Sequence, residues 1–285
     1  MRVEHAVPID PANSAQLDAW DGDEGAYWAD HADEFDRSVA AYHHDLLDAA
    51  RLADGEHVLD LGCGAGRTTL DAARRSPAGS ALGVDLSARM LEVARSRAAA
   101  EGVGNARFLQ VDAQIHPFAA GATDVAISRT GAMFFADHAA AFANVARALR
   151  PGGRLVLLNW QPFDRNEWIR EIWTALDGGR HRPPPPPGAP GPFSLAEPDR
   201  VRSVLRTAGF TGVDLDPWAA PMWFGADADA ALRFVLGLSG WMLDGLDDAG
   251  RRGAVEALRS SLAARQSPAG VRYDSAAWLV TAVRA

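Results

Sequence analysis

The chain has 285 residues, 48% of them hydrophobic, and a formal net charge of −9; it is long enough for one large domain or a domain with a modest cap. All 28 basic residues are Arg, since no Lys occurs, which excludes a pyridoxal Schiff base, a P-loop Lys and a Lys general base. The acidic balance argues against a general nucleic-acid binder, and the single cysteine, Cys63, permits neither an internal disulfide nor a thiolate metal cluster.

No basic n-region followed by an apolar h-region opens the chain, and no 18-residue apolar run occurs. The expectation is a cytoplasmic protein without a membrane segment. Residues 1–25 are polar and rich in Asp and Gly, and read as a loose lead-in. From Gly25 to Leu52, apolar and aromatic residues recur at helical spacing: Tyr27, Trp28, Phe35, Val39, Tyr42 and Leu46. Two helices covering one edge of a sheet are expected here, with residues 1–51 as lead-in and lid.

The stretch His57–Gly66 organises the rest of the chain. An apolar run ends in Asp60, glycines stand at 62, 64 and 66, and a helical pattern opens at Arg67. Strand, glycine turn and helix N-terminus are how a doubly wound sheet builds a nucleotide site. A pyrophosphate loop needs G-x-G-x-x-G, but Arg67 stands where its third glycine belongs. Asp60 would repel a pyrophosphate and suits a cation or an amino group. Cys63, inside the turn, reads as a small packed residue.

Strand–helix alternation continues over residues 52–160 and predicts a parallel, doubly wound α/β sheet. Ala81–Leu86 is the second strand, and Ser87 caps a helix running to Ala100. Asp85 lies 19 residues past Gly66 at a strand's carboxyl end, where a carboxylate can accept both hydroxyls of a ribose. Ala106–Ala113 is the third strand with its exit, and Thr123–Arg129 the fourth. A helix from Asp137 to Leu149 comes next, with His138 read as a capping or surface residue. Arg154–Trp160 is the fifth strand, buried on both faces. Residues 161–197 form a Trp- and Pro-rich excursion, whose prolines 183–187 read as a stiff spacer. Residues 198–285 hold a helix ending at Gly209, a short strand Val213–Leu215, a helical cap insertion at 219–267 and a closing strand Trp278–Val283.

Val58–Gly66, Gly83–Leu91, Gln110–Ala113, Ser128–Asp137 and Leu149–Asn159 resemble the successive motifs of the class I S-adenosylmethionine (SAM) methyltransferases, above all the small-molecule branch related to quinone biosynthesis. The resemblance implies a seven-stranded, mostly parallel sheet with an antiparallel last strand, an N-terminal helical lid and a helical insertion before the final strand. It also implies methyl transfer by in-line displacement at sulfur, with S-adenosylhomocysteine (SAH) as product. By position, Gly62 and Gly64 fall under the methionine part, beside Asp60. Asp85, followed by Leu86, matches the ribose acid. Asp112 matches the acceptor of the adenine amine, and the Ala113 N–H faces a ring nitrogen. Arg129 matches the residue whose backbone follows the fourth strand, and Trp28 a lid residue that reaches the cofactor.

The segment Ser128–Phe135 lacks both the Asn/Asp-Pro-Pro of amino-methylating DNA enzymes and the carboxylates of metal-dependent catechol enzymes, so no metal is expected. Aromatics concentrate outside the core strands. Met133, Phe134, Trp160, Trp168, Phe193 and Trp223 are the expected walls of an acceptor pocket, which suits a small aromatic or heterocyclic acceptor, methylated at carbon, nitrogen or oxygen, in secondary metabolism. His43 and Tyr27, on the lid, are the candidates for a general base. The expected partner is a small molecule, not nucleic acid or membrane, and a homodimer is left open. Two alternatives stand: a non-catalytic SAM-binding regulatory protein, and a nicotinamide-dependent oxidoreductase, disfavoured by Arg67.

Overall fold

A computed structural model describes residues 7–183, 186 and 188–285. Three of the five prolines at 183–187 lie outside the described residues, as do the first six residues of the lead-in. The sheet is built from β1 (His57–Leu61), β2 (Ser80–Asp85), β3 (Ala106–Gln110), β4 (Thr123–Arg129), β5 (Leu149–Trp160), β6 (Phe210–Gly225), the two-residue β7 (Gln266–Ser267) and β8 (Gly270–Arg284). Their order is β3-β2-β1-β4-β5-β8-β6, with β7 paired to β8 off this path. The first five run parallel, and β8 is antiparallel to both β5 and β6. The chain builds outward from β1 to β3, then returns to place β4 on the other side of β1. The carboxyl ends of β1 and β4 therefore splay into a crevice, which is where ligands bind in such sheets.

The central strands β1, β4 and β5 form where they do because they are apolar on both faces. Leu155–Leu158 of β5 are at most 1% exposed, so neither face meets water. The first helices on the sheet are α4 (Ala40–Ala50), packed on β4, β5 and β6, and α5 (Arg67–Arg75), packed on β1 and β2. Then come α6 (Ala88–Ala100) on β2 and β3, α7 (His138–Ala148) on β5 and α9 (Pro198–Thr207) on β6 and α7. Ser87 and Asp137 cap α6 and α7 by accepting from Met90 N and Ala140 N.

The lead-in is more ordered than its composition suggests. A 3₁₀ turn at Pro11–Asn13 runs into α1 (Ser14–Trp20). The lid then comprises α2 (Asp23–Asp30) and α3 (Ala32–Ser38) before α4, instead of the two helices expected over 25–52. The breaks fall at His31 (φ −117°, ψ 26°) and Val39 (φ −105°, ψ 15°). Each is a single residue and leaves the apolar face continuous, so periodicity does not register it.

The C-terminal part differs from the expectation in the reach of both strands: β8 begins at Gly270, before the expected Trp278, and β6 is also extended. β6 is 16 residues long, and residues 219–225, assigned to the insertion, continue it. Pro217 and Pro221 are tolerated because β6 is an edge strand bonded only to β8. Beyond the last β5–β8 pair, Trp160 with Ala277, the β6–β8 ribbon continues past the carboxyl ends of the parallel strands. There α8 (Glu167–Asp177), α10 (Ala228–Ser239) and α11 (Asp248–Ala264) pack against it and one another as a cap. No helix among the described residues is long and apolar enough to cross a membrane.

Candidate active site

The glycine turn and the loop after β4 are pressed together. Gly62 has φ +63°, and a Cβ there would lie 2.9 Å from Gly131 Cα. Gly64 has φ +53°, and a Cβ there would lie 2.5 Å from Met90 Cε. Its N–H donates instead to Asp85 Oδ2 (2.8 Å), while Ser87 N–H donates to Asp85 Oδ1 (2.9 Å). Asp85 thus ties the loop after β1 to the loop after β2. Burial pushes its carboxyl up, and these backbone donors work against that.

Asp60 is 1% exposed at the end of β1. Its Oδ2 accepts from Thr69 Oγ1 on α5 (2.6 Å), and its Oδ1, buried and facing the crevice, has no partner. Burial pushes this carboxyl up to about 7, although the Thr69 hydrogen bond and the charge of Arg129 pull the other way. Asp112 is likewise 1% exposed. Its Oδ1 accepts from Asn13 Nδ2 and Gln114 N, both at 2.9 Å, and its Oδ2 from Asp10 N at 3.0 Å. Asn13 Oδ1 also accepts from Ala136 N (3.1 Å), so the N-terminal segment is fastened across the ends of β3 and β4.

These groups open onto one cavity of about 570 Å³, within the ~300–1,000 Å³ usual for small-molecule sites. One half is made by the glycine turn and the strand ends, with Trp28, Asp60, Gly62, Gly64, Asp85, Leu86, Asp112, Ala113 and Arg129 all on its wall. The other half is aromatic and includes Met133, Phe134, Trp160, Trp168 and Phe193. Of the lid residues, Trp28 stacks on Phe35 with ring centroids 3.4 Å apart and meets the edge of Trp20 at 5.4 Å.

Three expected residues do not reach the cavity. Trp223 alternates with Met222 and Phe224 along β6; those two face in, and Trp223 faces out under the Arg37 guanidinium, 4.8 Å from its ring centre. Tyr27 lies about 100° around α2 from Trp28. Its hydroxyl donates to the Phe234 carbonyl (3.1 Å), and burial pushes its pKa above the ordinary value. His43, 7% exposed, points from α4 toward α5. Its Nε2 bonds Asp71 Oδ2 at 2.8 Å and its Nδ1 meets Arg129 Nη1 at 3.2 Å. With Arg129 donating to Nδ1, the ring proton sits on Nε2, and His43 is committed to both partners. Burial would raise the Asp71 carboxyl, but hydrogen bonds from His43 and Arg74 hold it down at about 2. His138 is also not at the surface. It is 3% exposed, bonded to Ser194 Oγ at 3.1 Å, and burial pushes its pKa down to about 4.

Phe224 and Trp241, among the aromatics outside the core strands, also line the cavity, as do Asn13, Trp20, Phe35 and Phe234, which were not among the expected site residues. Asp10 followed by Pro11 is a helix-start signal, and it marks the ordered segment that carries Asn13 and Trp20.

A methyltransferase-domain family model matches residues 58–153. The demethylmenaquinone methyltransferase of Thermus thermophilus is 39% identical over 107 residues, 38% of this chain and 48% of that protein. The chain thus spans about half the length of the first curated relatives it matches. The demethylmenaquinone methyltransferase of Symbiobacterium thermophilum is 35% identical over 195 residues, covering 61% of this chain and 75% of that protein. The nocamycin O-methyltransferase of Saccharothrix syringae is 32% identical over 192 residues, 63% and 67% of the two chains. Among solved structures, the YcgJ protein of Bacillus subtilis superposes with a TM-score of 0.57 at 22% identity, covering 85% of this chain and 98% of that one, and so shares the fold. Strand order, glycine turn and these matches together place the chain in the family of class I SAM-dependent methyltransferases.

Proposed function

We propose that the chain transfers a methyl group to a small aromatic or heterocyclic acceptor, at carbon, nitrogen or oxygen, without a metal and in secondary metabolism. The observation that carries this reading is the single cavity in which a carboxylate-lined glycine turn opens directly onto aromatic walls. The names of the relatives, a demethylmenaquinone methyltransferase and a nocamycin O-methyltransferase, support methyl transfer to a small molecule.

The residues present fit SAM on their own chemistry. The orphaned Asp60 Oδ1 suits an ammonium group, and Gly62 and Gly64 leave backbone bare where a Cβ would intrude. Asp85 would take the ribose hydroxyls. Asp112 Oδ2 has a lone pair left for the adenine amine, since one oxygen accepts up to two donors and only Asp10 N is on it. When bound, SAM supplies an electrophilic methyl carbon on a sulfonium sulfur. The chain's part is alignment and exclusion of water: the lid closes one side and the aromatic cap the other. Outside the glycine turn and the strand ends, the titratable side chains lining the cavity among the described residues are Asp36, paired with Arg129, and Glu24 on α2, one turn from Trp28, whose carboxyl burial pushes up; no general base is assigned. His43 and Tyr27 hold the lid to the sheet and to α10.

The test is incubation with SAM and a panel of quinols, phenols, indoles and heterocyclic amines, read by mass spectrometry. A gain of one methylene on one chemical class is expected. SAH binding without any product across the panel would instead favour a non-catalytic SAM-binding protein.

A further inference from the structure

We infer that the acceptor is a largely apolar ring molecule that carries no phosphate or carboxylate and presents one oxygen or ring nitrogen to Trp28. The inference rests on the methyltransferase reading above and narrows its acceptor class.

The aromatic half draws its wall from six separated stretches of chain, represented by Met133, Trp160, Trp168, Phe193, Phe224 and Trp241. Among the described lining residues of these six stretches (131–135, 160, 168–173, 190–193, 222–224 and 234–241), Ser239 contributes the single hydroxyl, and no acid, imidazole or guanidinium is present. An anionic acceptor would need a cation, and the chain has no Lys at all. The one guanidinium among the described cavity-lining residues is that of Arg129. Its Nη2 is paired with Asp36 (2.5 Å) and its Nη1 with His43 (3.2 Å). Two of its five N–H donors are thus taken and its charge is offset by Asp36, so it is not a free cation for a phosphate or carboxylate. The carboxylates on the cavity wall, Glu24 and Asp36 on the lid with Asp60, Asp85 and Asp112 at the strand ends, add repulsion. A buried anion without a partner is disfavoured far more than a neutral ring of the same size.

One polar feature gives the acceptor an orientation. Trp28 Nε1 is buried on the cavity wall and has no hydrogen-bond partner among the described residues. Trp28 sits where the two halves meet: Trp20, its neighbour on one side, contacts Phe134, and Phe35, stacked on its other side, contacts Phe234. An indole N–H is a donor only, so its complement is a lone pair on a carbonyl, hydroxyl or ring nitrogen.

The test uses the full chain saturated with SAH and a matched set of naphthalene probes in calorimetric titrations. The probes are 2-naphthol, naphthalene, 2-naphthoate and 2-naphthyl phosphate. 2-Naphthol is expected to bind at least ~10-fold more tightly than each anionic probe. It should also outbind naphthalene by several-fold, an advantage lost in Trp28→Phe. Equal or tighter binding of the carboxylate or phosphate probe would overturn the inference, as would binding of none of them while SAH binds. Failure of SAH itself to bind would overturn the methyltransferase reading instead, so the two failures are distinguishable.

Discussion

Asp60 offers the sharpest quantitative consequence of the site. Its carboxyl titrates near 7 in the folded chain against an ordinary value of 3.8. The folded-state pKa is raised, so the associated stability is full below about pH 4 and is lost as pH rises through 7. The loss amounts to about 4 kcal/mol for a shift of ~3 units. Pairing with an ammonium requires the ionised form. At pH 6 about nine-tenths of the Asp60 carboxyls carry a proton, and at pH 8 about one-tenth. Affinity for SAH should therefore fall about tenfold from pH 8 to pH 6, and binding at pH 7 should release about half a proton. Calorimetric titrations in buffers of different ionisation enthalpy measure both. Asp60→Asn should abolish the proton release, weaken SAH binding and raise the melting temperature at pH 8. A pH-independent affinity with no proton release in the native chain would refute the reasoning, as would an Asn variant that still releases the proton.

Asp85→Ala removes two hydrogen bonds to a charged group and should weaken SAH binding by about 3 kcal/mol, or ~100-fold, in the same titration. Gly62→Ala forces a side chain at φ +63° against Gly131 and should cost about 2–3 kcal/mol of stability in thermal unfolding. His43→Ala takes one hydrogen-bond partner each from Asp71 and Arg129, which keep Arg74 and Asp36, and should cost about 1–3 kcal/mol of stability, with turnover at neutral pH kept within about threefold. A large loss of turnover at unchanged melting temperature would return His43 to the chemistry. Turnover should survive excess EDTA, and activity lost to the chelator and restored by magnesium would contradict metal-free transfer.

The cofactor half of the site is legible in the sequence because its acids stand at strand ends. Asp60 ends a strand that reads as a continuous apolar run, Asp85 closes the next, and Asp112 follows the edge strand β3, which exposes Arg107 and Leu109 and is marked by its place in the strand–helix alternation. The aromatic half is legible only in composition. Which of Met222, Trp223 and Phe224 faces the cavity depends on recognising β6 as a long strand, and Pro217 and Pro221 conceal it. Tyr27 and Trp28 are neighbours with opposite roles, decided by where α2 meets α10. Asn13 reaches a partner 99 residues away, and His138 is covered by Ser194, 56 residues later. Contacts over such separations leave no local pattern to read. The break at His31 is invisible for the converse reason: the apolar stripe runs straight across it.

The most direct test of the account is incubation of the chain with SAM labelled in its methyl group, together with neutral aromatic and heterocyclic compounds and their phosphorylated or carboxylated counterparts. The expected result is label in a neutral ring compound and SAH formed one for one with it. Label appearing only in an anionic acceptor, or in no compound while SAH still binds, would contradict it.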